Sequence, residues 1–259
     1  MNPRLELPMK VLASPVVELR QYTLKPGQRE TLIALFDREF IESQEATGMV
    51  IIGQFRDLDR ADMFVWLRGF ESMDTRKEAL ATFYGGPVWA AHRDVANATM
   101  IDSDDVLLLK PAWPGAGFDL SGTQRAAWAT GEKPIQNKPL AGIVVIRIHH
   151  LRPGVETDFA SRFKAEAVPM MNASGVRLLA AFTTEHAENS FPRLPVRASE
   201  NVFISVTGFD AEAHARHEAV LAASPNWRAF WQAAELDLTK PTETLRLSPT
   251  SRSLVGPSL

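Results

Sequence analysis

The residues best suited to chemistry occupy alternate positions of one short segment. In VVELRQYTL, residues 16–24, Glu18, Arg20 and Tyr22 follow one another at every second position. A β-strand directs residues i, i+2 and i+4 to one face, so we expect these three side chains to share a face. Together they could orient an anionic or carbonyl oxygen. The alternative is structural pairing, because a buried charge needs a partner.

A second segment, IVVIRIHH at residues 143–150, carries Arg147 and His149 in the same alternation. A neutral imidazole at His149 could act as a general base near pH 7. His150 points to the opposite face of a regular strand and therefore cannot serve the same site. The simpler interpretation of His149 is a core histidine whose hydrogen bonds are satisfied internally.

The two segments are equivalent parts of an internal repeat. VVELRQYTLKPG aligns with IVVIRIHHLRPG, so that Arg20 matches Arg147 at an offset of 127 positions. The same offset places TGMVIIGQF on SGVRLLAAF, after which the second copy carries an insertion, EHAENSFPRLPVRASE, at residues 185–200. Further on, MFVWLRGFES matches VFISVTGFDA, and GGPVWAAHRD matches ASPNWRAFWQ with Trp89 on Trp227. A repeat of this length predicts two copies of one supersecondary unit.

Each copy shows the order strand, helix, strand, strand, helix, strand, which is the ferredoxin-like split βαβ motif. We therefore predict an α+β chain of two tandem ferredoxin-like (βαββαβ) units, a first repeat at 16–110 and a diverged second repeat at 140–250. A Pro/Gly-rich connector at 111–139 joins them, and we expect its Trp113 and Trp128 to pack on the repeats. Individual residues predict the helix boundaries. Gly48 and Gly175 are predicted to end the first helices, Pro87 to begin a late helix, and Pro169 to bend the first helix of the second repeat.

The first repeat also resembles a known family. ELRQYTLKPG, the amphipathic helix after it, the VWLRGFES strand and the late GGPVW are similar to the NIPSNAP family of the dimeric α/β-barrel superfamily. The second repeat departs from this pattern, because Val145 and His149 replace Glu18 and Tyr22. The resemblance implies two sheets packed face to face as a pseudo-dimeric α/β barrel with helices outside, and it allows further homo-oligomerisation.

The face that carries the polar residues decides where a site would lie. Phe64, Trp66 and Arg68 alternate with an aliphatic set in the third strand, and Phe203 does so in its counterpart. We expect the aliphatic sets to face the helices and the mixed sets to line the barrel lumen as a ligand pocket. A solvated sheet face is the alternative. The predicted site has His149 as candidate catalytic residue and, as ligand-binding residues, Glu18, Arg20, Tyr22, Phe64, Trp66, Arg68, Arg147 and Phe203. We also expect Arg20 and Arg147 to approach each other at the pseudo-twofold axis.

Composition excludes several classes of function. The 259 residues carry a net charge of −3 without a Lys/Arg cluster, which argues against nucleic acid as a partner. The chain has no cysteine, no apolar stretch of membrane-spanning length and no apolar signal segment, so we predict a cytoplasmic protein.

HARHE, with His214 and His217, is interpreted as a solvated helix face rather than a metal site. We predict no metal and no cofactor, since no motif selects His92, His149 or His217 as a haem ligand and phosphate-loop and hydrolase motifs are absent.

Two functions from different classes remain open. The first is an enzyme or binder for a small, partly apolar organic molecule, without a nucleotide cofactor. By fold analogy with barrel relatives, its chemistry would be oxygenase-like or isomerase-like. The second is a non-catalytic interaction module, which the resemblance to animal NIPSNAP proteins with mitochondrial and vesicle-associated roles would allow. A barrel filled by side chains favours the module, whereas a pocket of a few hundred cubic ångströms lined by the predicted site residues favours the binder.

Overall fold

A computed structural model describes residues 14–126, 142–210 and 213–257. Its first repeat contains β1 (Val16–Leu24), α1 (Arg29–Leu35), α2 (Ile41–Glu45), β2 (Val50–Asp57), β3 (Met63–Phe70), α3 (Met73–Gly85), α4 (Pro87–Thr99) and β4 (Met100–Pro111). Its second repeat contains β5 (Ile143–His150), α5 (Glu156–Arg162), α6 (Val168–Ala173), β6 (Arg177–Thr184), β7 (Val202–Phe209), α7 (Ala213–Ala223), α8 (Pro225–Ala234) and β8 (Glu243–Pro249).

The eight strands close into one antiparallel barrel in the order β1-β3-β2-β8-β5-β7-β6-β4. Each repeat contributes four adjacent strands in the ferredoxin-like order, β4-β1-β3-β2 and β8-β5-β7-β6. The repeats join where β2 pairs with β8 and where β4 pairs with β6. These two junctions are equivalent under the repeat, so the predicted α+β fold of two units closing a pseudo-dimeric barrel is confirmed.

The barrel interior is a side-chain-filled and mainly aliphatic core, which corrects the predicted orientation of the faces. Alternate residues of all eight strands form one buried cluster that contains no helix residue, for example Leu19, Val65, Ile146 and Ile204. The mixed set of residues faces the helices instead. Both faces of this sheet are covered, so hydrophobicity alone does not distinguish them. The more aliphatic face turns inward because the closed interior of an eight-stranded barrel is filled by side chains and offers a buried polar group few partners.

Two further cores lie between the outer face of the barrel and the helices. Tyr22, Phe64 and Trp66 pack with α1 to α4 in the first repeat. Val145 and Phe203 pack with α5 to α8 in the second. The molecule therefore has a central core and two outer layers, and the predicted site residues are distributed over the outer layers.

The first helix of each repeat is interrupted by a π-helical turn at an equivalent place. The turns are Phe36–Phe40 between α1 and α2 and Phe163–Ala167 between α5 and α6. Pro169 follows the second turn, but Glu42 occupies the corresponding place in the first repeat. The interruption is therefore a property of the repeat and not an effect of the proline.

Several local expectations hold. Gly48 and Gly175 follow the first helices with φ of 94° and 79°, a backbone conformation that favours glycine. Pro87 stands at the start of α4. Trp113 stacks on Phe203 with ring centroids 6.5 Å apart, whereas Trp128 lies outside the described residues. Among the described residues, no helix combines the length and apolar character needed to cross a membrane.

Candidate functional site

A cavity of about 220 Å³ lies in the outer layer of the second repeat, between the barrel and its helices. Strands β5, β7 and β8 form its floor, and the π turn with α6, α7 and α8 forms its roof. Its lining combines six apolar or aromatic side chains with six polar or charged ones. The lining residues are Arg147, His149, Phe163, Met171, Val176, Ser205, Glu218, Leu221, Trp227, Trp231, Thr242 and Thr244.

His149 is the most distinctive polar group of this cavity. Its side chain is 1% exposed, stacks on Trp231 with centroids 4.8 Å apart, and places Nδ1 2.9 Å from Oγ1 of Thr242. Its other ring nitrogen, Nε2, is buried and has no hydrogen-bond partner. Burial, together with the positive charge of Arg147 and the nearby His150, lowers the pKa of His149 to about 3. The imidazole is therefore neutral at physiological pH and offers one unused hydrogen-bonding atom.

Arg147 lies beside His149 on the floor of the cavity and is already paired. Its Nη2 donates to Oε1 of Glu218 on α7 at 2.6 Å, and the two side chains are 21% and 42% exposed. This ion pair joins α7 to the sheet at the partly open side of the cavity. Since Glu218 compensates the guanidinium charge, an anionic ligand is not required here.

The corresponding layer of the first repeat is almost filled. Its cavity of about 30 Å³ is lined by Tyr22, Phe36 and Trp66, which correspond to His149, Phe163 and Ser205. In the first repeat the indole of Trp66 fills this space. In the second repeat the small side chain of Ser205 leaves most of it empty. Phe40 of the first repeat likewise corresponds to the smaller Ala167. Large-to-small replacements on one scaffold thus account for the open cavity of the second repeat.

The first-repeat residues predicted for the site form a buried ionic cluster instead. Glu18 accepts hydrogen bonds from Nη1 of Arg20 at 2.7 Å, Nε of Arg68 at 2.8 Å and Nε of Arg76 at 2.7 Å. All four side chains are at most 2% exposed. Burial alone would raise the pKa of Glu18, but the charges of Arg68, Arg20 and Arg76 outweigh it and hold the pKa far below its usual value. The expected pairing between Glu18 and Arg20 is present, and two further arginines join it.

The insertion of the second repeat covers this cluster. Nη1 of Arg76 donates to Oδ1 of Asn189 at 3.0 Å and to Oγ of Ser190 at 3.1 Å. Phe191 stacks on Tyr84 of α3 with centroids 6.2 Å apart. The equivalent β2–β3 connection of the first repeat is only a short turn, so no comparable segment covers the second cavity. The insertion therefore covers part of the first-repeat layer and leaves the cavity of the second repeat uncovered.

The structure separates the residues that sequence placed in one lumen. Arg20 and Arg147 do not converge on the pseudo-twofold axis, because each points into the outer layer of its own repeat and pairs with a different glutamate. Of the predicted residues, Arg147 and His149 line the open cavity, while Phe203 lies behind His149 with ring centroids 6.0 Å apart. Trp227 and Trp231 form part of its wall. The sequence signal that indicates this cavity is the alignment of the large Trp66 with the small Ser205 in the two repeats.

No group of three or more His, Asp or Glu side chains is arranged to hold a metal ion in the part of the chain that the structure describes. His92 and His217 do not line the cavity. Nε2 of His214 lies 3.9 Å from Glu218 on the same helix. The candidate site is therefore built from hydrogen-bonding and aromatic groups.

Comparison with known proteins places the chain among barrel proteins. An anthrone oxidase-like protein matches 94% of this chain and 96% of its own length, with 12% identity and a TM-score of 0.55. A proposed monooxygenase from Lactobacillus acidophilus NCFM matches 91% of this chain and 94% of its own length, with 14% identity and a TM-score of 0.53. At these identities the likeness establishes the fold alone. No curated protein matches the chain.

A family model agrees with the sequence resemblance. The NIPSNAP model matches residues 17–113, which span β1 to the residues just beyond β4. A NIPSNAP family protein from Agrobacterium tumefaciens strain C58 matches 37% of this chain and 91% of its own length, with 23% identity and a TM-score of 0.35. The family model thus matches the first repeat of this tandem α/β barrel.

Proposed function

We propose that the second repeat binds a small, neutral, partly apolar organic molecule in the His149 cavity, without a nucleotide cofactor. The observation that carries this proposal is His149 itself, which lines the partly open cavity and whose Nε2 is buried without a hydrogen-bond partner. Leaving such an atom unsatisfied is unfavourable. A ligand oxygen or N–H group placed at Nε2 would complete its hydrogen bonding.

The walls indicate the chemical class of the ligand. Phe163, Trp227 and Trp231 offer aromatic surface, and Met171 is an adaptable apolar neighbour. Arg147 is paired with Glu218, and a histidine with a pKa of about 3 stays neutral, so neither supplies a free positive charge. A single-ring ketone or phenol combines the apolar body and the one polar atom that the cavity accommodates.

The lowered pKa also changes the role proposed for His149. A group with a pKa of about 3 is a weak general base at neutral pH. We therefore assign His149 a hydrogen bond that orients and polarises a ligand oxygen. Oxygenase-like or isomerase-like chemistry would use such a step. The fold shared with the proposed monooxygenase makes that reaction class, by analogy only, the first to assay.

The filled barrel lumen is what a non-catalytic interaction module would show. The open cavity lies outside that lumen, and the first repeat, which retains Trp66, has no space of comparable size. An interaction module does not require a partly open cavity in its outer layer, nor a buried histidine with an unsatisfied ring nitrogen in the lining of that cavity. Small-molecule binding accounts for the cavity and for the histidine.

The test is a titration of the full chain with acetophenone and phenol, and with benzoate as the charged counterpart, followed by tryptophan fluorescence. Acetophenone or phenol should quench the emission, whereas benzoate should bind at least about tenfold more weakly, since burying an uncompensated charge is unfavourable. Ser205→Trp, which restores the residue of the first repeat, should abolish binding by filling the cavity. Trp89→Phe, in the first repeat, is the matched control and should leave binding unchanged.

Two substitutions separate the ring nitrogens of His149. Asparagine retains a polar group near Nδ1 but none near Nε2, so His149→Asn should weaken binding by about threefold to tenfold, the effect of one hydrogen bond. Glutamine reaches the position of Nε2, so His149→Gln should retain most of the affinity. Equal binding by wild type and Ser205→Trp, or no binding of any probe together with no bound small molecule in native mass spectra, would reject the proposal.

A further inference from the structure

Ser205 places a second unused hydrogen-bonding group in the lining of the His149 cavity. It lies on β7, is 2% exposed and lines the cavity. Two residues further along the same strand face, Thr207 donates its hydroxyl proton to the carbonyl oxygen of Val145 at 3.3 Å. The hydroxyl of Ser205, by contrast, has no hydrogen-bond partner within the part of the chain that the structure describes. Since buried polar groups normally have a partner, this hydroxyl is available to a ligand.

The strands on either side of Ser205 do not supply a partner. In the register of the sheet, Ser205 lies opposite Arg147 of β5 and Ala181 of β6. Ala181 has no polar side-chain atom, and Nη2 of Arg147 is directed to Glu218. The side chains beside Ser205 therefore leave its hydroxyl unused.

The size of the cavity does not by itself require a serine. Ser205 stands at the position of Trp66 in the first repeat, and an alanine there would open at least as much space. Burying a hydroxyl without a hydrogen bond is unfavourable compared with burying a methyl group. A hydrogen bond to the occupant of the cavity would offset this cost.

Ser205 and His149 are positioned to share one ligand oxygen. They lie at diagonal positions on one face of the β5–β7 pair, because His149 follows the partner of Ser205, Arg147, by two positions. Diagonal neighbours are about 7–8 Å apart, so an atom between their side chains is within reach of both. The serine hydroxyl can donate, and Nε2 of His149 carries a proton when Nδ1 accepts one from Thr242. A carbonyl oxygen has two lone pairs and can accept both hydrogen bonds.

We propose that Ser205 is a specificity-determining residue of this cavity, which donates together with His149 to one carbonyl oxygen of an aromatic ligand and rejects the hydrocarbon of the same shape. This inference rests on the small-molecule binding proposed for the second repeat. A site built to hydrogen-bond an oxygen discriminates against the analogue that lacks it, because its own buried polar groups are then left unpaired. A cavity of about 150 Å³ is sufficient for benzene, so about 220 Å³ accommodates a benzene ring with a carbonyl substituent.

The test compares acetophenone with α-methylstyrene, in which a methylene group replaces the carbonyl oxygen. Both probes are titrated into the full chain and followed by tryptophan fluorescence, and the ratio of their dissociation constants measures the selectivity for the oxygen. This selectivity should fall by about threefold to tenfold in Ser205→Ala, the effect of one hydrogen bond. Ser205→Thr and Ser205→Val form a matched pair of nearly equal volume. The threonine variant should retain the selectivity because it keeps the hydroxyl, and the valine variant should lose it.

Infrared spectroscopy separates a hydrogen bond from a change in cavity shape. A hydrogen bond polarises a carbonyl group and lowers its stretching frequency. The band of bound acetophenone, labelled with ¹³C at the carbonyl carbon, should therefore lie at a higher frequency in Ser205→Ala than in the wild type.

Failure of this inference differs from failure of the proposed function. If both probes bind the wild type and Ser205→Trp abolishes binding, but selectivity and carbonyl band are unchanged in Ser205→Ala, small-molecule binding stands and the role of Ser205 is overturned. If neither probe binds the wild type, the cavity is not a site for such molecules, and this inference is overturned with the proposed function.

Discussion

The neutral imidazole of His149 should make the stability of the protein depend on pH in a defined window. Its pKa is about 3 in the folded chain, against an ordinary value of 6.5 when the chain is unfolded and solvated. Because the folded-state pKa is lowered, the unfolded chain binds the proton more readily. The free energy of unfolding therefore falls as the pH drops below 6.5, and this loss ends near pH 3.

The magnitude follows from proton linkage. Between pH 7.5 and pH 5 the loss attributable to His149 is about 2 kcal/mol, since the unfolded histidine is protonated over about 1.5 pH units while the folded one is not. This value depends little on the folded pKa, because pH 5 lies well above it. It is large against a typical stability of about 5–15 kcal/mol.

The assay is urea unfolding of the wild type and His149→Asn at pH 7.5, 6.0 and 5.0. The difference between wild type and variant should shrink by about 2 kcal/mol over this range, because only the wild type carries the buried imidazole. Thr242→Val is the control, since it removes the hydrogen bond at Nδ1 but keeps the ring, and it should retain the pH dependence of the wild type. A constant difference between wild type and His149→Asn would mean that His149 accepts a proton in the folded protein, and the reasoning from burial would be wrong.

Further predictions concern charge and packing. Glu18→Gln should lower the free energy of unfolding by about 3–5 kcal/mol at pH 7, because it leaves three buried guanidinium groups without a carboxylate. A loss below about 1 kcal/mol in urea unfolding would contradict this prediction. Folding lowers the pKa of Glu18, so its stabilisation should be fully present at pH values above its ordinary pKa of 4.5 and should decline as the pH falls below 4.5. Acid titration of the wild type and of Glu18→Gln would measure this decline. Trp66→Ala should cost about 3–5 kcal/mol, whereas Trp227→Ala, half-buried beside an existing cavity, should cost less; equal losses would show that the two layers are packed alike. Acetophenone affinity should be constant between pH 5 and pH 8 because His149 stays neutral, and a tenfold change in its dissociation constant across that range would contradict the assigned protonation state.

Much of the architecture followed from the sequence. The alternation in VVELRQYTL and the prolines that begin α4 and α8 are local signals, and local backbone preferences fix the elements that they predict. The repeat at an offset of 127 positions then predicts a second copy of the same unit. Tandem copies of one βαββαβ unit then close a barrel, because each copy would otherwise leave a sheet face and two sheet edges unpaired. The pairing of Glu18 with Arg20 was likewise foreseeable, since a buried charge needs a partner and Arg20 lies two positions away on the same strand face.

The location of the site was decided only in three dimensions. Alternation along a strand separates two faces but does not say which faces the barrel centre, and here both faces are buried. Which residues meet across elements also depends on packing. Arg76 reaches Glu18 from α3, and Asn189 reaches Arg76 from the other repeat. The cavity exists because Ser205 stands where Trp66 stands in the first repeat, and the insertion covers only the first layer. These contacts join residues far apart in sequence, so they depend on volumes and distances that no local pattern encodes.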